Sequence, residues 1–307
     1  MSRLVKLVRS AGIITATGLA TYYGFGLGDI VDDHVPQTYM IPELVQGITA
    51  FIAGNAGNRV ARTVLRAGSR IKEQEAYSIA ALNAFANAPN EMRNISTERS
   101  LEEISKHLVQ VRVHVGDQIW GGSGLMITTD GYVLTAHHVI QEVVENGRKA
   151  YIKTQRGWEY RVLRGNVWYN EATDIAIVKV NKPSVLAAPI HIKVDPKCDL
   201  QRGQEVRILG FRDGQEYNTL GMITTPRHHW KQESGNVVRG LFQTDARGKP
   251  GQSGGVIVNG NGELIGITVY VSIASGEEIG QVGGARISDA LAYINQIAAK
   301  RSSGFFK

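Results

Sequence analysis

The segment "GYVLTAHHVI", residues 131–140, places an apolar run directly before two adjacent histidines. The apolar residues predict a buried strand that continues through His137 and His138. Because successive side chains of a strand point to opposite faces, only one of these imidazoles can enter a given cleft. A histidine in a strand is an ordinary packing or surface residue unless other reactive groups join it, so its role depends on the downstream sequence.

Two later segments supply such groups. "EATDIAIVKV", residues 171–180, sets Asp174 before an apolar strand, and "GKPGQSGGVIVNGNGELIGI", residues 248–267, sets Ser253 between glycines. A serine hydroxyl becomes a nucleophile when an imidazole takes its proton, and a carboxylate then fixes the tautomer of the imidazole. The three segments together supply a histidine as base, an aspartate as orienting acid and a serine as nucleophile, in that order along the chain.

The strand pattern around these residues predicts an all-β domain. "LVQVRVHV", residues 108–115, alternates valines with polar side chains, and similar short runs recur as far as about residue 272. Many short strands separated by turns indicate an antiparallel sandwich or barrel. Ser100 and Glu103 predict a capping box for a short helix that ends near His107. After the strands begin, only residues 287–300 predict a helix.

The first hundred residues have a different texture. Three basic residues precede an uncharged run over residues 11–28, which predicts a membrane anchor or a cleaved signal. Leu44–Asn58 predicts a buried or interfacial helix, and Arg59–Ala88 predicts a helix with a basic face. Membrane association through residues 1–60 and helical packing or self-assembly both explain this pattern. We predict two domains, a helical region over 1–100 and a second domain over 101–307.

Composition excludes several classes of protein. The 307 residues are 43% hydrophobic and 20% charged, which is ordinary for a globular chain. Cys198 is the sole cysteine, so neither an internal disulfide nor a cysteine-built zinc site is available. The net charge of +6 is spread thinly and no nucleic-acid motif occurs, so we do not expect nucleic acid as a partner. His228 and His229 lack a third ligand at suitable spacing, and we predict no metal and no cofactor.

From about Gly122 to Ala298 the sequence resembles the trypsin-like serine peptidases, and within them the disulfide-free HtrA (Deg) branch. The resemblance is carried by "GSGLMITTDGYVLTAHHV", "TDIAIVKV", "RGQEVRILGF", "TLGMIT", "FQTDARGKPGQSGGVIVNGNGELIGI" and the closing helix. It implies a chymotrypsin-like double β-barrel with a C-terminal helix, here preceded by an α-helical N-terminal region. The family pattern T-x-x-H-V selects His138 rather than His137, so the implied catalytic triad is His138, Asp174 and Ser253.

The resemblance also implies the surroundings of the triad. The backbone N–H groups of Gly251 and Ser253 would form the oxyanion hole. Gln252 stands where digestive relatives carry an aspartate, so activation by a freed N-terminus is not expected. No PDZ domain precedes the end of the sequence at Lys307, and we expect any substrate tethering to use the first hundred residues.

The substrate pocket is predicted from alignment on Ser253. Arg247 lies where related enzymes place the base of the pocket, and Thr268, Val269 and Tyr270 are predicted to line its wall. An inward guanidinium would favour an acidic side chain at P1, the substrate residue before the cleaved bond. A guanidinium directed to solvent would leave a preference for small or medium apolar residues there.

These patterns predict a serine endopeptidase that acts on protein or peptide substrates. The resemblance implies a homo-oligomer, a trimer by family expectation, and a membrane-associated or exported location. Two alternatives stay open: a catalytically silent scaffold or binding module on the same fold, and a membrane-associated assembly protein that processes only itself.

Overall fold

The computed structural model describes most of the chain beyond residue 73, namely residues 74–87, 95–182, 187–231, 235, 237–272 and 280–305. Residues Gln74–Lys307 form one compact unit. The predictions of an anchor, signal or membrane contact within residues 1–60 lie outside the described residues. None of the helices in the described ranges has both the length and the apolar character needed to cross a membrane.

The first barrel is a closed antiparallel sheet with strand order β1-β2-β3-β6-β5-β4. Its edges meet because β1 pairs with both β2 and β4. Closure leaves no exposed sheet edge, and the inward side chains fill the interior. The strands are β1 Leu108–Val115, β2 Gln118–Met126, β3 Tyr132–Ala136, β4 Ala150–Thr154, β5 Glu159–Asn170 and β6 Ile175–Val180.

The second barrel repeats this architecture with strand order β10-β11-β12-β9-β8-β7, and β7 pairs with both β8 and β10. Together the two barrels confirm the predicted all-β double barrel. Its strands are β7 Glu205–Arg212, β8 Gln215–Lys231, β9 Val237–Gly248, β10 Val256–Asn259, β11 Leu264–Ser272 and β12 Gly280–Arg286.

Alternation in β1 shows why these residues form a barrel strand. Val109, Val111 and Val113 are buried, whereas Gln110 and Arg112 are only partly buried. Burial of each valine side chain contributes about 1.5–3 kcal/mol to the free energy of unfolding. The polar residues between them stay on the outer face, so the strand has one register that buries its apolar side.

Four helices accompany the barrels in the described part of the chain. They are α1, residues 74–87, α2 Thr97–His107, α3 His137–Asn146 and α4 Ile287–Phe305. The C-terminal helix α4 is as predicted, and its apolar face, Ile287, Leu291, Ile294 and Ile297, is buried.

The helix α3 corrects the sequence prediction for the paired histidines. The strand β3 ends at Ala136, and a helix begins at His137 instead of a continued strand. The helix ends at Gly147, which adopts a left-handed conformation with φ 63°. Consecutive side chains on a helix point about 100° apart, so the two imidazoles still diverge, although for a different reason than predicted.

The start of α2 also differs from the prediction. Its N-cap is Ser96, whose hydroxyl accepts a hydrogen bond from the backbone N–H of Arg99 at 3.3 Å. Ser100 instead lies inside the helix, is buried, and donates to the carbonyl oxygen of Gly262 at 2.6 Å. The predicted end near His107 is confirmed.

Helix α1 packs against the barrels and against α4. Its side chains Leu82 and Phe85 belong to the buried core, and the hydroxyl of Ser78 donates to the carboxylate of Asp130. Burial would raise the pKa of Asp130, but the nearby ammonium of Lys179 and two hydroxyl donors outweigh it and lower that pKa. The carboxylate therefore stays ionised and joins α1 to the first barrel. The domain boundary at residue 100 stays a prediction.

Candidate active site

His138 and Asp174 form a close pair at the start of α3. The Nδ1 atom of His138 lies 2.6 Å from Oδ2 of Asp174, and Oδ1 of Asp174 accepts the backbone N–H of His138 at 2.9 Å. The carboxylate side chain is 1% exposed, whereas the imidazole is 29% exposed. The arrangement fixes the imidazole orientation on its buried side and leaves its other side toward solvent.

The same aspartate organises the end of the helix. Helix α3 has no side-chain cap of its own, because its N-cap residue is Ala136. The carbonyl oxygen of Asp174 accepts the N–H of His137 at 3.0 Å, so Asp174 satisfies two of the free donors at this terminus. A negative charge at a helix N-terminus is also favoured by the helix dipole.

Asp174 reaches this position through an unusual backbone conformation. Its φ is 54°, in the left-handed region that aspartate tolerates better than most residues. The turn between β5 and β6 is closed by a bond from the N–H of Asp174 to the carbonyl of Glu171 at 3.3 Å. The carboxylate is therefore positioned by the turn that precedes β6 and not by the strand itself.

His137 has a packing role. It is buried and stacks on Tyr169, with ring centroids 4.4 Å apart and planes 11° from parallel. Burial lowers the pKa of His137 below its ordinary value. The neutral imidazole therefore packs the start of α3 against Tyr169 of β5.

Ser253 lies in the loop between β9 and β10, beside strand β2. Its carbonyl oxygen accepts the N–H of Ser123 at 2.7 Å. A Cβ at Gly122 would lie 3.2 Å from that same oxygen and would collide with Val139, the residue after His138. The carbonyl oxygen of Ser253 and the side chain of Val139 therefore both lie beside Gly122 of β2. Among the described residues, no hydrogen bond joins the His138 imidazole to the Ser253 hydroxyl.

The residues predicted for the oxyanion hole flank this serine. Gly251 has φ 97°, and a Cβ there would lie 2.7 Å from the carbonyl oxygen of Phe211, so only glycine fits without strain. No acceptor within the described ranges bonds to the N–H of Gly251 or of Ser253. Two backbone donors beside one hydroxyl are suited to bind an oxygen that gains negative charge.

Gln252 closes the loop that contains these donors. Its side chain is buried, and its Oε1 accepts the N–H of Lys249 at 2.8 Å, while its own N–H donates to the carbonyl of Lys249 at 3.2 Å. Its Nε2 donates to the carbonyl oxygen of Tyr217 on β8 at 3.4 Å, so the side-chain amide closes the loop and also joins it to the second barrel. Nothing in the spacing of the sequence pointed to this bond.

The predicted pocket residues are divided between the site and the surface. Thr268 is buried, and its backbone pairs with Gly254 and Gly255 behind Ser253. Val269 is buried as well, and Tyr270 stacks on Trp230 with centroids 4.8 Å apart. The fourth residue of the predicted set, Arg247, is exposed and lies opposite Gln281 of β12.

Comparisons with known proteins agree with this geometry. Residues 122–267 match the trypsin-like peptidase domain. A probable periplasmic serine protease, do/HhoA-like, of Haemophilus influenzae is 36% identical over 162 residues, 52% of this chain and 32% of the relative. A probable periplasmic serine endoprotease, DegP-like, of Marinomonas is 33% identical over 165 residues, 52% of this chain and 31% of the relative. The chain thus spans about a third of the length of these curated relatives.

Solved structures show the same fold. The HtrA-type protease AlgW with a tripeptide has a TM-score of 0.53 at 22% identity, and covers 66% of this chain and 64% of its own. Deg5 has a TM-score of 0.51 at 18% identity, and covers 66% and 93%. At such identities the likeness concerns the fold alone. The domain match and the curated relatives show that residues 122–267 form a trypsin-like peptidase domain, which is similar to part of the do/HhoA-like and DegP-like serine proteases.

Proposed function

We propose that this protein is a serine endopeptidase that hydrolyses peptide bonds through an acyl-enzyme. The observation that carries the proposal is the 2.6 Å contact between His138 and Asp174. The next residue, Val139, lies beside Gly122, as does Ser253, and the N–H groups of Gly251 and Ser253 bond to no acceptor among the described residues. The names of the curated relatives, which are serine proteases and endoproteases, support it.

The proposed reaction begins at the hydroxyl of Ser253. Its Oγ attacks the carbonyl carbon of the substrate, and Nε2 of His138 takes the hydroxyl proton. Asp174 holds Nδ1–H and stabilises the imidazolium that forms. The carbonyl oxygen becomes an oxyanion, which accepts hydrogen bonds from the N–H groups of Gly251 and Ser253.

Collapse of this intermediate breaks the C–N bond. The imidazolium of His138 gives its proton to the leaving amine, and the acyl group remains on Ser253 as an ester. A water molecule then attacks the ester, again with His138 as base. The second tetrahedral intermediate uses the same two donors and releases the acid, which regenerates the free hydroxyl.

For substrates we propose proteins or peptides with small or medium apolar residues at P1. The exposed position of Arg247 supports this preference over an acidic one, because an exposed guanidinium does not line a buried pocket. The similar fold of the HtrA-type protease AlgW, whose structure is one with a tripeptide, supports a peptide as the substrate class. The periplasmic names of two relatives support an exported location, and a homo-oligomer and a membrane contact remain part of the proposal.

A catalytically silent scaffold is the second candidate. It is favoured by one observation, that His138 and Ser253 share no hydrogen bond within the described part of the chain. In unliganded enzymes, however, such bonds are often long and tighten only when substrate binds. The two candidates differ in whether Ser253 reacts.

Labelling with a fluorophosphonate distinguishes them, because the reagent bonds covalently to an activated serine. We expect the wild-type protein to be labelled, Ser253→Ala to remain unlabelled, and Asp174→Asn to react about 10⁴-fold more slowly. The control is Ser105→Ala, which changes a half-buried serine on α2 whose hydroxyl donates to Glu216 at 2.7 Å, and this variant should label like the wild type. A folded wild-type protein that does not label would support the scaffold.

A further inference from the structure

The hydroxyl of Ser123 joins the two barrels beside the proposed nucleophile. Ser123 lies on β2 of the first barrel and is 0% exposed. Its Oγ donates to the carbonyl oxygen of Gly251 at 2.7 Å and accepts the N–H of Phe211, on β7 of the second barrel, also at 2.7 Å. The donor of the hydroxyl and one of its acceptor lone pairs are therefore engaged.

The backbone of Ser123 makes two more bonds at the same place. Its N–H donates to the carbonyl of Ser253 at 2.7 Å, and its carbonyl accepts the hydroxyl of Thr135 at 2.7 Å. Thr135 lies on β3, three residues before His138. One residue thus bonds to the nucleophile residue, to an oxyanion-hole glycine and to the strand that leads to the base.

The bond to Gly251 has a specific geometric effect. The carbonyl of Gly251 belongs to the peptide group between residues 251 and 252. The proposed donors, the N–H groups of Gly251 and Ser253, belong to the two adjacent peptide groups. The orientation of the carbonyl therefore constrains both donors. Gly251 has φ 97° and no side chain to limit rotation of its backbone. The bond from Ser123 to this carbonyl therefore fixes the loop to the first barrel, in addition to the bonds that Gln252 makes with Lys249.

We propose that Ser123 is a positioning residue, which aims the N–H donors of Gly251 and Ser253 through its hydroxyl. The inference rests on the proposed endopeptidase function. Because these donors act on the charge that develops in the transition state, misaiming them slows the chemical step more than it weakens substrate binding.

The test compares Ser123→Ala with a matched variant, Ser100→Ala. Ser100, on α2, is also buried, and its hydroxyl donates to the backbone carbonyl of Gly262 at 2.6 Å. For Ser123→Ala we expect kcat on a peptide substrate to fall about 10- to 100-fold, with KM changed less than about threefold. Affinity for a peptide aldehyde, which forms an oxyanion on Ser253, should fall with kcat. Ser100→Ala should lose thermal stability and keep the wild-type kcat.

The outcomes separate the inference from the function on which it rests. An unreactive wild-type protein overturns the proposed function. A reactive wild type with an unchanged kcat in Ser123→Ala overturns the positioning role, as does an equal loss of kcat in both variants. If Ser123→Ala does not fold, Ser123→Cys keeps the side chain's shape with a weaker donor, and the same fall in kcat and aldehyde affinity is expected.

Discussion

At the scale of single residues, the two adjacent histidines differ because the chain changes conformation between Ala136 and His137. His137 is buried in a stack with Tyr169, and His138 is partly exposed with its Nδ1 against Asp174. The same residue type therefore has a structural role at one position and a proposed catalytic role at the next. Burial decides between them, since only the partly exposed imidazole can reach a substrate.

The buried His137 predicts a pH dependence of stability. Burial lowers its pKa below 6.5 in the folded protein, so below pH 6.5 the unfolded chain binds a proton that the folded chain does not. The free energy of unfolding should therefore fall as the pH decreases from 7 toward 5. His137→Phe keeps an aromatic ring on Tyr169 and removes the titration, so we expect a shallower fall.

Urea unfolding at a series of pH values measures this slope. The exposed His191 provides the control, and His191→Gln should keep the wild-type slope. A slope in His137→Phe equal to that of the wild type would show that another group causes the acid sensitivity.

The sequence predicted the residues of the candidate site better than the bonds among them. The motif T-x-x-H-V selects His138 because spacing within one segment is enough. The roles of Ser123 and Gln252 depend on Phe211, Gly251 and Lys249, which the barrels bring together from distant segments. A serine between two glycines in "GSG" carries no sign of those partners.

At the scale of elements, helix α3 is the main feature that the sequence analysis missed. Its segment, "HHVIQEVVEN", continues an apolar run, so it resembles an extension of β3. The buried residues His137, Ile140 and Val143 follow a three-residue spacing typical of a helix. Gly147, directly after Asn146, was the available signal for a helix end.

The left-handed conformation of Gly147 gives a test of how firmly α3 is terminated. A Cβ at this position meets no atom within 4 Å, so alanine would be opposed only by the backbone conformation. We expect Gly147→Ala to lower the free energy of unfolding by about 1–2 kcal/mol. Gly121→Ala, where a Cβ also meets open space but φ is not left-handed, should change it by less than about 0.5 kcal/mol. Equal losses in denaturant unfolding of the two variants would refute the explanation.

At the scale of the whole molecule, the described unit is larger than the two barrels. Helix α1 contributes Leu82 and Phe85 to the core, and its Glu75 pairs with Arg301 of α4 at 2.8 Å. The alanine-rich pattern of these residues differs from the pattern of the strands, and it predicted a separate N-terminal region. Packing against the barrels is a tertiary property that composition does not reveal.

Truncation of Leu82 tests whether α1 is part of the folded unit. The side chain is 0% exposed, so Leu82→Ala should leave a cavity and lower the free energy of unfolding by about 2–5 kcal/mol. Tyr77→Ala on the same helix removes a side chain that is 54% exposed, and we expect less than about 0.5 kcal/mol. A small effect of Leu82→Ala in thermal or urea unfolding would mean that α1 separates from the barrels at little cost.

The division of the site between the two barrels affects how a newly made chain behaves. His138 and Asp174 belong to the first barrel to be synthesised, whereas Ser253 precedes the final three strands of the second barrel. During translation, a ribosome-bound polypeptide therefore has its base and acid long before its nucleophile can be held in place. Under the proposed function, an unfinished chain would therefore be unable to cleave itself or the translation machinery until its last strand is in place.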